Sequence, residues 1–152
     1  MQLVNPLQQH FTELMSWFTT EEALAEWSGP GFRYPFTLSS FIEDLRVSEL
    51  TSFALVSDEQ QMLAFGQYYN RIDRCHLGRL VVSPKHRGKG VAAELLRQLC
   101  EQGQQKLGLP ECSLFVVADN NKAIKAYQKF GFAFADYPTE IPMDNCLYMV
   151  KS

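Results

Sequence analysis

The chain has 152 residues, 46% of them hydrophobic and 20% charged, and a formal net charge of −3. Eleven Phe, six Tyr and two Trp within that apolar content exclude a disordered chain. The missing positive field excludes a general binder of nucleic acid or membrane surface, and the length predicts one domain over residues 1–152.

The first part reads as helical. Pro6 suits the first turn of a helix, and Leu7, Phe11, Leu14, Met15 and Phe18 follow at helical spacing. Thr20 offers an N-cap, with Glu21 and Glu22 meeting the positive end of a short helix through Trp27. Ser28-Gly29-Pro30-Gly31 breaks it, and Thr37 to Leu45 holds a third helix. Strands are then expected over Ser52–Ser57, Met62–Ile72 and Cys75–Val82, joined by short turns as an antiparallel meander. Val91, Ala92, Leu95, Leu96, Leu99 and Cys100 mark an amphipathic helix that stops at Gly108. Ser113–Val117 is a short apolar strand. Asn120 or Asn121 caps a further helix carrying Ala123, Ile124, Tyr127 and Phe130. Phe132–Tyr137 and Cys146–Val150 are the last strands, with Pro138–Asn145 as a loop between them. This order predicts an α/β (α+β mixed) protein with a single mostly antiparallel mixed sheet and helices on both faces.

Cys75, Cys100, Cys112 and Cys146 make no Cys-x-x-Cys pair, which speaks against a zinc ribbon or a thioredoxin-like motif. Met1 to His10 has neither the positive nor the apolar region of a secretory signal. No apolar run reaches the roughly 18 residues of a membrane span. Reduced thiols, a cytoplasmic location and no metal are the expectation.

The most informative stretch is Arg87-Gly88-Lys89-Gly90-Val91-Ala92-Ala93, between a strand and a long helix. The first N–H groups of a helix are unpaired, and its dipole adds positive potential. Such a turn is suited to phosphate. A basic turn that merely starts a helix is the plain alternative. Gly88-x-Gly90-x-x-Ala93 also satisfies the dinucleotide fingerprint. However, several residues separate Val82 from Gly88, Asp119 lies too far along to be the ribose acid, and the preceding strands look antiparallel. No Gly-Lys-Ser/Thr follows, so a Walker A loop is absent.

Two motifs carry a better match. Leu80-Val81-Val82-Ser83-Pro84 leads into Arg87-x-x-Gly90-x-Ala92. Asn120, Ala123, Tyr127, Gly131 and Phe132 then fall at the spacing Asn-x-x-Ala-x-x-x-Tyr-x-x-x-Gly-Phe. Together they resemble the GCN5-related N-acetyltransferases (GNAT family), best over about Ser52 to Phe132. The resemblance implies the GNAT acyl-CoA N-acyltransferase fold and direct transfer of acetyl from acetyl-CoA, the co-substrate, to an amine. It places the coenzyme pyrophosphate over Arg87, Gly88, Lys89, Gly90, Val91, Ala92 and Ala93. It sets the pantetheine arm beside Leu80, Val81 and Val82, with the N–H of Val81 or Val82 at the thioester carbonyl. Asn120 would hold the arm, a role compatible with a plain helix N-cap. Tyr127 would be the general acid, since a thiol near ~8.5 lies close to a phenol near ~10, or would only position the sulfur.

His76 is a candidate base, on the strand leading to Val82. A half-exposed strand histidine with no catalytic part is the alternative. On strict alternation His76, Gly78, Leu80 and Val82 share a face unless a bulge intervenes. His86 is expected to meet solvent or coenzyme phosphate. Trp27 and Tyr34, with Phe32 and Phe36, are candidates for the acceptor pocket or for packing, with Tyr137, Met143 and Asp144 on the other side. No sequence feature selects the amine. A non-catalytic acyl-CoA-binding module on the same fold is the competing reading, and a homodimer is carried from the family.

Overall fold

The computed structural model describes residues 1–152. One seven-stranded sheet runs in the order β1-β2-β3-β4-β5-β7-β6. Its strands are β1 Gln2–Val4, β2 Thr51–Val56, β3 Met62–Arg71, β4 Arg74–Val82, β5 Cys112–Val117, β6 Ala133–Phe134 and β7 Cys146–Lys151. The helices are α1 Gln8–Met15, α2 Glu21–Ser28, α3 Leu38–Asp44, α4 Val91–Leu107 and α5 Asn121–Phe130, and Pro84–His86 forms a 3-10 turn. Only the β4–β5 pair is parallel, so the sheet is mixed and mostly antiparallel, as expected. No helix is long and apolar enough to cross a membrane.

The helix starts obey local chemistry. Thr20 Oγ1 accepts from Ala23 N–H at 3.1 Å, and Thr37 Oγ1 from Ser40 N–H at 3.0 Å. Pro6, expected in the first turn of α1, stands before the N-cap Leu7, whose N–H donates to His10 Nδ1 at 2.9 Å. Strand β1 has no sequence signal, because three residues give no period to read. It is held by pairing with β2 and by Gln98, which accepts from Leu3 N–H and donates to Met1 O. The strand expected over Phe132–Tyr137 is only Ala133–Phe134.

Two cores flank the sheet. On one face α4 and α5 bury Val91, Leu95, Leu96, Leu99 and Ile124 against Tyr68, Leu77 and Leu114. Each buried leucine contributes about 1.5–3 kcal/mol. On the other face α1, α2 and α3 bury Phe11, Leu14, Leu24 and Phe41 against Ala54, Met62 and Phe65. The cysteines are free, with Cys75, Cys100 and Cys112 buried. The contact with the Cys112 thiol, and then burial, pushes the Cys75 and Cys100 thiols up and leaves them packing groups.

Two irregularities in the middle of the sheet shape the space beside β4. Gln67 pairs with Gly78 and Phe65 with Val81, so Arg79 and Leu80 face Gly66 alone. This bulge holds Arg79 at a φ of 50°, a region uncommon for a non-glycine residue. The bulge also overturns the expected alternation. His76 and Gly78 lie opposite Tyr69 and Gln67 on the face of α1–α3, whereas Leu80 and Val82 pack against the α4 core. The second irregularity is that β4 pairs with β5 only over Cys75, His76 and Leu77, and beyond Leu77 the two strands part.

Candidate active site

The parted strands open into a cleft of about 1490 Å³ that passes through the sheet. One end is the turn into α4. Gly88 and Gly90 hold φ of 77° and 78°, and Gly90 is the N-cap of α4 in the left-handed conformation. No backbone N–H from Arg87 through Ala93 has a hydrogen-bond acceptor, and the first bond of the helix is Glu94 N–H to Gly90 O at 3.2 Å. Nothing lies within 4 Å of the position a Cβ would take at Gly88 or Gly90. The turn is therefore a run of unpaired donors around open space, backed by the positive end of a 17-residue helix. Arg87 lines the cleft beside it, as does His86, whose Nδ1 is buried without a partner. The Lys89 side chain lies outside the lining.

The wall between the strands carries Leu80, Val81 and Val82. Ser83 N–H bonds Leu63 O at 2.8 Å. By antiparallel alternation Val81 then turns its N–H to β3, and Val82 turns its N–H to the parted side. Of the two residues expected at the thioester carbonyl, only Val82 has a donor free to reach it.

Asn120 and Tyr127 line the opposite wall from α5. Asn120 is the N-cap of α5, its Oδ1 accepting from Ala123 N–H at 3.2 Å. Tyr127 packs edge-on against Phe132, at 6.1 Å between ring centroids. Burial raises its phenol pKa to about 12, so the proton stays on through the neutral range.

The other end of the cleft lies on the α1–α3 face. His76 is 2% exposed, set 4.6 Å from Phe115 and 5.4 Å from Tyr69 between ring centroids. Its Nδ1 and Ser113 Oγ are 2.8 Å apart. Burial, aided by the charge of Arg71, pulls its pKa down to about 3. The strand histidine is thus buried rather than half-exposed, and its burial disfavours the protonated form. Trp27 lines the cleft while stacking on Phe18 at 4.4 Å and on Phe41 at 6.0 Å, so it is both wall and core. Tyr34, expected beside it, is 39% exposed, touches only Phe36 among the rings, and stands away from the cleft. The aromatic-rich segment folds back on α3 and leaves Tyr34 on its outer side. Met143 and Cys146 also line this end. Their loop is tied to the end of β5 by Ala118 N–H to Asn145 O at 2.8 Å and Asn145 Nδ2 to Asp119 Oδ2 at 2.9 Å.

Residues not anticipated from the sequence cluster here. Arg71 donates to Tyr137 Oη at 2.9 Å and Tyr69 Oη at 3.0 Å, and lies 5.1 Å from the Phe115 ring centre. Arg79 donates to Gln67 Oε1 at 3.0 Å and lies 5.2 Å from the Phe32 ring centre. The available signal was a charge inside an apolar strand, Arg79 between Gly78 and Leu80.

The depressed histidine has a consequence for stability. Between its ordinary value of 6.5 and the folded value of about 3, the unfolded chain binds the proton and the folded chain does not. Stability is therefore full above pH 6.5 and falls as pH drops through that window, by at most about 1.4 kcal/mol per pH unit for one group. His10, also lowered by burial, adds to the fall. Urea unfolding from pH 7 to 5, above the carboxylates, is expected to show this slope. His76→Gln is expected to flatten it; an unchanged slope would show that His76 titrates normally in the fold.

Solved structures share this arrangement of elements. Spermidine N-acetyltransferase from Vibrio cholerae, in complex with CoA and spermine, superposes with a TM-score of 0.75 at 17% identity, over 98% of this chain and 93% of that one. The N-acetyltransferase PaiA from Thermoplasma acidophilum, in complex with coenzyme A, gives 0.73 at 18% over 99% and 97%. The ribosomal-protein-S18-alanine N-acetyltransferase from Escherichia coli gives 0.68 at 21% over 99% and 92%. At these identities the likeness is one of fold. In sequence, the Spermidine N(1)-acetyltransferase of Escherichia coli strain K12 is 33% identical over 64 residues, 42% of this chain. That match spans about a third, 34%, of the relative's length. The acetyltransferase (GNAT) family matches residues 11–132, which take in the bulge, the parted strands, the turn into α4 and Tyr127, and the chain belongs to that family.

Proposed function

We propose that the protein transfers an acetyl group from acetyl-CoA to an amine. The observation that carries this reading is the unbroken run of unpaired N–H groups from Arg87 through Ala93, set at the mouth of the parted strands. These donors fit a pyrophosphate, and Arg87 adds charge beside them. Val82 offers its N–H, and the amide edge of β4 offers an unpaired rim for an extended arm.

Bound acetyl-CoA supplies the thioester carbon that an amine attacks. Val82 N–H stabilises the negative charge that develops on the carbonyl oxygen. Asn120 Nδ2 holds the arm while its Oδ1 caps α5. Tyr127 directs its phenol proton at the departing sulfur. Burial has widened the gap between this phenol, at about 12, and a thiol near ~8.5. Tyr127 therefore acts by sharing its proton as charge grows on sulfur; as the C–N bond forms and the C–S bond breaks, the amine nitrogen sheds one proton through the open cleft and the sulfur takes one up, so amide and thiol are the products. His76 takes part as a neutral imidazole. With the Nδ1 proton donated to Ser113 Oγ, its Nε2 lone pair accepts from the incoming amine and orients it. The amine arrives uncharged or loses its proton to solvent along the open cleft, so kcat/KM rises toward the acceptor's own pKa.

Family membership does not select the amine. The curated relatives are named for spermidine, a polycation. The acceptor end here carries Arg46, Arg71 and Arg79 against Glu26 alone in the lining. The test is acetyl-CoA consumption with a panel of primary amines, counting free thiol against acetylated product. Equimolar release of both is expected. Thiol release without acetylated amine would leave only hydrolysis, and no thiol release with any amine would leave only a binding module.

A further inference from the structure

We infer that the acceptor is an amine bearing a carboxylate, recognised by Arg79 and Arg71 at the α1–α3 end of the cleft; the inference rests on the acetyl-transfer reading. Neither guanidinium has an acidic partner. The ion pairs of the chain leave both out. The nearby acids are committed elsewhere: Asp44 bonds Arg33 and Glu49 bonds Arg46. Glu26 lines the cleft without forming an ion pair.

Arg79 is the better-formed receptor. Its Nη1 is fixed by Gln67 Oε1 at 3.0 Å and approaches Leu45 O at 3.5 Å. Gln67 is 1% exposed and is itself held by Ser52 Oγ and Leu45 O, both at 2.9 Å. The Nε of Arg79 is buried with no partner, and no bond engages its Nη2. Those two groups form the side-on fork that matches the two oxygens of a carboxylate. A charged group with an orphaned buried donor is destabilising in the free protein and gains its partner on binding. The bulge that forces Arg79 to a φ of 50° is what turns this side chain into the cleft wall.

Arg71 is clamped by two phenol oxygens and a ring face, all neutral. It stands at the end of β3, where Arg71 pairs with Arg74, far along β4 from the turn that suits pyrophosphate. Coenzyme phosphates therefore do not explain it. His76 lies on the same face, paired with Ser113, and carries no charge to offset. The acceptor end is thus positive in a chain whose net charge is −3. It repels a polyamine and attracts an acid.

The experiment compares free amino acids with their α-carboxamides as acceptors at saturating acetyl-CoA, with an acidic-N-terminal peptide and spermidine in the same panel. The amide loses its proton more readily, so chemistry alone favours it. Any preference for the acid must come from binding. The expected result is a kcat/KM for the carboxylated amine at least about tenfold above its amide, and up to about 10⁴-fold where the fork is fully engaged. Preference confined to free amino acids, or to the acidic peptide, identifies the source of the carboxylate. The acid-to-amide ratio is expected to fall toward one in Arg79→Gln and in Arg71→Gln, with Arg79→Lys between. The wild-type ratio stands without any variant. Amides or spermidine used as well as the acids would overturn the inference and leave acetyl transfer intact. No thiol release with any amine would overturn both.

Discussion

Gly90→Glu is expected to abolish stabilisation by acetyl-CoA and by CoA. The substitution acts in two ways. It puts an L side chain at a φ of 78°, which costs about 1–2 kcal/mol of fold stability. It also sends a carboxylate into open space ringed by the unpaired N–H groups of the turn, where a pyrophosphate would sit. Gly108→Glu separates the two. Gly108 ends the same helix at a φ of 68°, and nothing lies within 4 Å of its Cβ position. Both variants are expected to melt lower than the wild type, Gly108→Glu the more, because its carboxylate meets the negative end of the helix. Only Gly90→Glu is expected to lose the response to coenzyme. A Gly90→Glu protein that responds like the wild type would move the pyrophosphate off this turn.

Tyr127→Phe is expected to lower kcat by about 10²–10⁴ while leaving KM for acetyl-CoA and the coenzyme-induced melting shift near wild type. The ring remains to pack against Phe132, and the lost hydroxyl makes no hydrogen bond within the protein, so the fold has no reason to weaken. Because burial holds the phenol at about 12, its ionisation gives no falling limb below pH 11 in the wild-type profile. Steady-state kinetics with the best acceptor settle the point. A kcat within twofold of wild type would mean that the sulfur takes its proton from another donor, and would leave Tyr127 a packing residue.

Much of the frame was legible because local chemistry decides it. Thr20, Thr37 and Asn120 cap the helices they precede, and the Leu95–Leu96–Leu99 stripe faces the sheet as its period requires. The turn from Arg87 to Ala93 reads directly as glycines at positive φ before a helix. What escaped depends on pairing between distant residues. The bulge at Arg79 arises from the register of β3 against β4, and no period in β4 alone announces it. It moves Leu80 and Val82 to the α4 face and leaves Val82 rather than Val81 with a free N–H. The burial of His76 needs Phe115 and Tyr69 to close around it, from β5 and β3, and Arg71 to stand nearby. Read from its own strand the histidine looks half-exposed; in its box of rings it is buried, and burial disfavours its charged form. Tyr34 went the other way, since aromatic composition does not say which ring of a loop turns outward.

Coenzyme A is expected to lie on the turn and between the parted strands. Thermal unfolding of the purified protein alone and with acetyl-CoA, CoA, NAD or ATP tests this most directly. A ligand at about 100 times its Kd adds about 2.7 kcal/mol, a shift of roughly 2–4 °C per kcal/mol in a domain of this size. That shift is expected with acetyl-CoA and with CoA, and none of comparable size with NAD or ATP. A shift with NAD or ATP alone, or none with the two coenzymes, would mean that the turn does not bind coenzyme A.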